Sequence, residues 1–264
     1  GGILPKQFVD SKGQRRYFLN YNGKKTEDVR STLPYLPEGI KNPFVMESVE
    51  KYLPKELDIY EFEGALKFFN NGGVYKAKNK NTNENVVIKE VSRFMNYYIL
   101  NGQSAIDYKE NEYDVLTKLE NVNGLPKAIN FIKSDDRIFL IEEYVSGKSL
   151  DELFFENPFY SPRKNKDNDE KFLSNFYRIM INLYKLIEKI HDNEYLISDF
   201  NPTNILFDES FKVFFIDVES FEKDSNRMKF KKYTPNFSRS LGKMSSKSED
   251  IFSSFLLMTN ICNC

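Results

Sequence analysis

The chain has 264 residues, with 38 basic and 39 acidic side chains and a formal net charge of −1. That balance excludes a protein built around a basic nucleic-acid face, and 40% hydrophobic residues suffice for a core. Two cysteines, Cys262 and Cys264, provide neither a disulfide framework nor a structural zinc site, so a reducing, cytoplasmic setting is expected.

The first residues, Gly1-Gly2-Ile3-Leu4-Pro5, lack the basic and apolar regions of a signal peptide. No membrane partner is expected, because the apolar run Phe255–Met258 falls far below the about 20 residues a bilayer needs. The chain does not begin with Met and is expected to be a piece of a longer protein. Asn22-Gly23 predicts a tight turn closing a hairpin after Arg16–Leu19. Pro34, Pro37 and Pro43 predict an extended connector, and Asn42-Pro43 starts a helix that Pro54 stops.

From Tyr60 onward the pattern becomes compact and mixed. Strands are predicted at 66–69 and 74–78 around Asn70-Asn71-Gly72-Gly73, and at 86–88 after a turn at 81–84. Tyr108, Glu112, Val115, Leu116 and Leu119 recur at helical spacing. A strand follows at 138–141, then a charged loop at 161–170. Phe176, Ile179, Leu183, Leu186 and Ile190 mark one face of a long helix over 172–190. Short strands are predicted at 196–197, 204–206 and 213–216, with an apolar helix after Asp250.

Asp199, Asn204 and Asp217 stand at the ends of these short strands. Such a set suits phosphoryl transfer: one carboxylate orients the attacking hydroxyl, and an amide and a second carboxylate supply hard oxygens to magnesium. The plainer reading of Asp199 is a cap on the turn Asn201–Thr203. Upstream, Lys89 closes a strand, and Gly72-Gly73-Val74 lies where backbone approaches a ligand closely. Lys89 follows Val74 by 15 residues and Asp217 follows Asn204 by 13, the order and spacing of a glycine loop, strand lysine, catalytic loop and metal-binding Asp.

On these residues, together with 62–75, Val87-Ile88-Lys89-Glu90 and Asp217-Val218-Glu219, the chain from Tyr60 onward resembles a eukaryotic-type protein kinase. It resembles more closely the kinase domain of class III lanthipeptide synthetases. Asp10–Gly13, Asn22-Gly23, Asp28–Arg30 and Asn42-Pro43-Phe44 are similar to the end of that family's lyase domain and its connector. The resemblance implies an α+β, two-lobed protein-kinase-like fold preceded by a connector. Residues 1–57 would end a lyase domain. The N-lobe, an antiparallel sheet plus helix, would span about 58–145, and a mostly helical, partial C-lobe 146–264.

By position, the resemblance makes Asp199 the catalytic carboxylate and Lys89 the phosphate-holding lysine, paired with Glu112. Glu110 is the neighbouring alternative to Glu112. Asn204 and Asp217 would ligate Mg2+, with Glu219 beside them. Gly72, Gly73, Val74, Val87, Glu142 and Tyr144 would complete a site for ATP or GTP. His191 and Asp250 would brace the catalytic loop. The implied activity is phosphorylation of Ser and Thr in a ribosomal precursor peptide, leader plus core, with lyase and cyclase domains of the same parent protein as partners. A nucleotide-binding pseudokinase module and a small-molecule kinase are the alternatives.

The chain departs from the pattern at several points. Lys67 and Phe69 stand near the usual first two glycines, Ser198 replaces the Arg before the catalytic Asp, and Glu219 replaces a glycine. No Pro-Glu follows Phe237, and 14 residues after Asp250 leave the larger lobe short of helices by expectation. Lys223, Arg227, Lys229, Lys231 and Lys232 read as a solvated loop, or as an attraction for an acidic leader.

Overall fold

A computed structural model of the chain describes residues 7–9, 15–17, 53–69, 72–92, 97–98, 103–134, 137–153, 166–226, 234, 237 and 246–262. Near the start, β1 (Gln7–Val9) pairs antiparallel with β2 (Arg15–Tyr17). Arg15–Tyr17, just ahead of the turn expected at Asn22-Gly23, thus pairs with the segment before it. Asn22-Gly23, the proline-rich connector and the helix expected from Asn42 lie outside the described residues.

Five strands make the sheet of the smaller lobe: β3 (Tyr60–Phe69), β4 (Gly72–Asn79), β5 (Asn85–Ser92), β8 (Ala128–Lys133) and β9 (Arg137–Glu143). Their order is β3-β4-β5-β9-β8, antiparallel throughout. A minor pair, β6 (Tyr97–Tyr98) and β7 (Gln103–Ser104), leads into α1 (Ala105–Lys118). β3 begins earlier than its apolar run suggests, because ladder bonds to β4 carry Tyr60–Gly64 whatever their exposure.

Side chains alternate across the sheet, so β5 sorts its residues by face. Val86 and Ile88 join Tyr75, Phe139 and Ile141 in a small core of the N-lobe. Val87 and Lys89 lie on the other face, and Lys89 reaches Glu112 of α1. That helix starts with a capping box between Ser104 and Asp107, which satisfies donors that a helix N-terminus leaves open. Its buried stripe is Ala105, Tyr108, Lys109, Glu112, Val115 and Leu116, the three-four spacing of one helical face. Two charged residues therefore sit within an otherwise apolar stripe.

The larger lobe contains α2 (Lys166–Asp192) and α3 (Lys247–Cys262). Its small strands are β10 (Lys148–Ser149), β11 (Tyr195–Leu196), β12 (Ile205–Phe207), β13 (Val213–Phe215) and β14 (Glu222–Lys223). The charged loop expected through residue 170 is corrected: 166–170 are already helical. Acidic residues such as Asp169 and Glu170 suit a helix's first turns, where the dipole favours negative charge. Phe172, Phe176, Ile179, Leu183, Leu186, Ile187 and Ile190 bury one face of α2, which packs against β11, β13 and α3 in a core shared with Leu257 and Ile261. At about 1.5–3 kcal/mol for each large apolar side chain, this face is a main source of the lobe's stability. No helix among the described residues is long and apolar enough to cross a membrane.

Candidate active site

Lys89, opposite Val74 on β4 and Leu140 on β9, faces the space between the lobes. Its Nζ donates to Glu112 Oε1 at 2.6 Å, Glu142 Oε1 at 2.7 Å and the Ile216 carbonyl at 2.7 Å. Burial works against its charge, but the Glu112 and Glu142 carboxylates outweigh that and hold the ammonium above the ordinary lysine range. Glu112 is fully buried, whereas Glu110 pairs with Lys133 at the surface, so the lysine selects between the two expected partners.

Sequence reasoning missed a second buried lysine. Lys109 Nζ lies 2.5 Å from Glu112 Oε2 and 3.0 Å from Glu219 Oε2. Asn111 Nδ2 donates to the Glu219 carbonyl at 3.0 Å and the Phe221 carbonyl at 2.7 Å. Together with the Val218 N–H directed at Glu112 Oε1, 3.4 Å away, these contacts clasp α1 to the segment after β13. The signal was faint: a lysine and an asparagine on a charged helix ordinarily face water.

The segment carrying Asp199 is braced from beneath. Asp250 Oδ2 accepts the Ile197 N–H at 2.9 Å and lies 2.8 Å from His191 Nε2, while Oδ1 accepts the Ser198 N–H at 3.0 Å. All four residues are buried. Ser198 has φ of 65°, a left-handed conformation that costs a side-chain-bearing residue energy and is held here by those bonds. Asn201, rather than Asp199, caps the short turn Pro202–Asn204 by accepting the Thr203 N–H. Asp199 instead accepts from Thr234 Oγ1 at 2.5 Å, so a β-hydroxyl reaches its carboxylate.

Asn204 Nδ2 lies 3.4 Å from Asp217 Oδ2, which brings an amide and a carboxylate from two strand ends together. Oxygens of Glu112, Asp217 and Glu219 lie within 4.8 Å of one another. Lysines occupy both Glu112 oxygens, which leaves Asn204, Asp217 and Glu219 as the hard-oxygen set that fits magnesium. The Glu219 carboxylate also answers to Lys109, a partner the sequence did not suggest.

One cleft of ≈ 220 Å³ gathers these groups. Gly73, Val74, Lys89, Lys109, Asp199, Asn204, Asp217 and Glu219 line it, and Lys67 and Phe69, near the positions of the missing glycines, line it too. Gly72, Val87, Glu112, Glu142 and Tyr144 stand outside its wall. A Cβ on Gly72 would meet the Glu90 carbonyl at 1.9 Å, so close packing of β4 on β5 by itself demands glycine there. Glu142 turns its carboxylate toward Lys89, and Tyr144 lies under the Lys76 ammonium.

A glutamate-paired strand lysine, a braced carboxylate and an Asn–Asp pair around one cleft between a five-stranded sheet and a helical lobe define a phosphotransferase class. Residues 69–260 match the protein kinase domain, and the chain belongs to that family. The chain is 23% identical to the probable SapB synthase of Streptomyces coelicolor over 235 residues, 83% of this chain and 24% of that protein. This agrees with the resemblance to class III lanthipeptide synthetases read from the sequence. It is 27% identical over 135 residues to a probable serine/threonine-protein kinase of Dictyostelium discoideum, covering 51% of this chain and 9% of that one. It is 31% identical over 140 residues to cysteine-rich receptor-like protein kinase 22 of Arabidopsis thaliana, covering 52% and 19%. The chain spans a quarter or less of the length of each.

Proposed function

We propose that this chain is the kinase segment of a class III-type lanthipeptide synthetase and transfers a nucleotide's terminal phosphoryl group to Ser and Thr hydroxyls of a ribosomal precursor peptide. The observation that carries the reading is the meeting of Lys89, Asp199, Asn204 and Asp217 in one cleft, with Lys89 paired to Glu112. Asp199 orients the accepting hydroxyl and receives its proton as the oxygen attacks. Lys89, kept charged by its carboxylates, draws a phosphate oxygen of ATP or GTP. Magnesium held by Asn204 and Asp217, with Glu219 adjacent, would offset the charge of the phosphates. Residues 1–57 belong, on this reading, to the end of a lyase domain and its connector, and the peptide's later elimination and cyclisation fall to other domains of the parent protein.

The test is incubation of the chain with magnesium, ATP or GTP, and a Ser-rich precursor peptide, read by intact mass. Peptide gaining phosphate with the wild-type chain and not with Asp199→Asn supports the reading. Nucleotide binding without any mass gain favours a pseudokinase module, and phosphorylation of small alcohols but no peptide favours a small-molecule kinase.

A further inference from the structure

We infer that Glu142 is an internal competitor for the nucleotide phosphate: its carboxylate fills one of the three donors of Lys89, and nucleotide binds by displacing it. This rests on the phosphate-holding role proposed above for Lys89. A lysine ammonium has three N–H donors. Here Glu112 Oε1, Glu142 Oε1 and the Ile216 carbonyl take all three, at 2.6, 2.7 and 2.7 Å. A phosphate oxygen can gain a full hydrogen bond from this ammonium only if one acceptor gives way.

The three are not equally anchored. The Ile216 carbonyl is backbone, fixed by the Ile216 N–H bond to the Asn204 carbonyl at 3.0 Å. Glu112 is gripped through both oxygens, by Lys89 on one side and Lys109 on the other. Glu142 is 2% exposed, yet its Oε2 has no hydrogen-bond partner among the described residues. A buried carboxylate oxygen without a donor is costly, so this is the weakest of the three attachments. Its position is set by the sheet. Glu142 lies opposite Val87, and Lys89 opposite Leu140, so the two charged residues are diagonal neighbours on one face.

The charged groups acting on Glu142 are Lys89 from β5 and Glu112 and Lys109 from α1. Burial already pushes its carboxyl up to about 7, against the pull of Lys89. Once a phosphate takes Lys89, the released carboxylate has lost its main cation in a buried site and takes up a proton. Nucleotide binding is therefore coupled to proton uptake and weakens as pH rises through 7, by up to about tenfold per pH unit for one proton. The nucleotide-binding role that the family resemblance gives Glu142 is thereby replaced with an opposing one.

The experiment is calorimetric titration of the full chain with magnesium and a non-hydrolysable ATP analogue, between pH 6 and 8.5, in buffers of different ionisation enthalpy. Wild type, Glu142→Gln and Glu142→Met are compared, so the nucleotide's own titration cancels. The expected result is uptake of close to one extra proton by wild type at pH 8, and binding at least about fivefold tighter in the Gln chain there, converging toward pH 6. Equal affinity within twofold at every pH, or weaker binding in both variants, overturns the competitor role while nucleotide binding itself stands. Should neither variant fold, the wild-type proton count decides alone: none taken up at pH 8 overturns it. No binding by wild type overturns the phosphate-site reading, and this inference with it.

Discussion

Each oxygen of the Glu112 carboxylate serves a different lysine, Lys89 at 2.6 Å and Lys109 at 2.5 Å, in a fully buried position. Glu112→Gln preserves size and removes the charge. A Gln amide has one acceptor oxygen and one NH2 group, so whichever way it turns, an NH2 faces an ammonium. Breaking one buried ion pair by removing a partner costs about 3–5 kcal/mol. The second pair does not double this, because Lys89 keeps Glu142 and Ile216, and Lys109 keeps Glu219. The expected loss is therefore about 3–5 kcal/mol, a large part of the roughly 5–15 kcal/mol that folded domains possess. At about 1–3 kcal/mol per molar urea, the unfolding midpoint falls by at least about 1 M. Glu110→Gln, at a surface pair, shifts it little. A Glu112→Gln chain whose midpoint moves no more than that of Glu110→Gln would refute the two-lysine arrangement.

Asp250→Ala strands the Ile197 and Ser198 N–H groups and the His191 ring, and should cost about 3–5 kcal/mol, lowering Tm by about 10 °C in a thermal melt. Asp199→Asn should reduce kcat by about 10²–10⁴ and leave nucleotide affinity unchanged, as measured by phosphopeptide formation and titration. Lys109→Met and Glu219→Gln should be non-additive in urea unfolding, with a coupling of about 1–3 kcal/mol; strict additivity would mean the ion pair does not hold α1. The Glu142 carboxyl is raised from 4.5 to about 7 in the folded chain, so its contribution to stability is full below 4.5 and lost as pH rises through 7. Unfolding midpoints at pH 5 and pH 8 should therefore differ more for wild type than for Glu142→Gln.

Many of the secondary elements and their order could be read from local pattern, while the two-lobed arrangement rested on the family resemblance. Short continuous apolar runs mark β5 and β9, three-four spacing marks α1 and α2, and such patterns survive without tertiary information. Asp199, Asn204 and Asp217 were readable because short strands fix their separation along the chain, and β12 pairs directly with β13. Lys109 and Asn111 were not. Their partners, Glu219 and Phe221, lie about a hundred residues away, and nothing local distinguishes an inward lysine on a charged helix from an outward one. The contact of Thr234 with Asp199 was not legible either, since it joins residues 35 positions apart with no local signal. The start of α2 was missed because its polar first turns look like loop when only apolar residues are counted.

What the sequence could not express is how charge is apportioned behind the cleft. Two lysines, Lys89 and Lys109, face the carboxylates of Glu112, Glu142, Asp217 and Glu219, so anionic groups outnumber cations two to one. A buried excess of negative charge is expensive unless protons or cations relieve it. Glu142, shifted toward neutrality, relieves part of it from within, and the Asn204–Asp217–Glu219 edge opens on the cleft where a divalent cation can relieve the rest. The same arithmetic explains why Lys109 is buried at all. Without it, Glu112 and Glu219, whose carboxylate oxygens lie within 4.8 Å of one another, would lose the ammonium that joins them, and α1 would gain by swinging away. With it, the helix that carries Glu112 is bonded to the segment that carries Asp217, and Lys89 is aimed by the same contacts that fix the Asp217–Glu219 edge of the cleft.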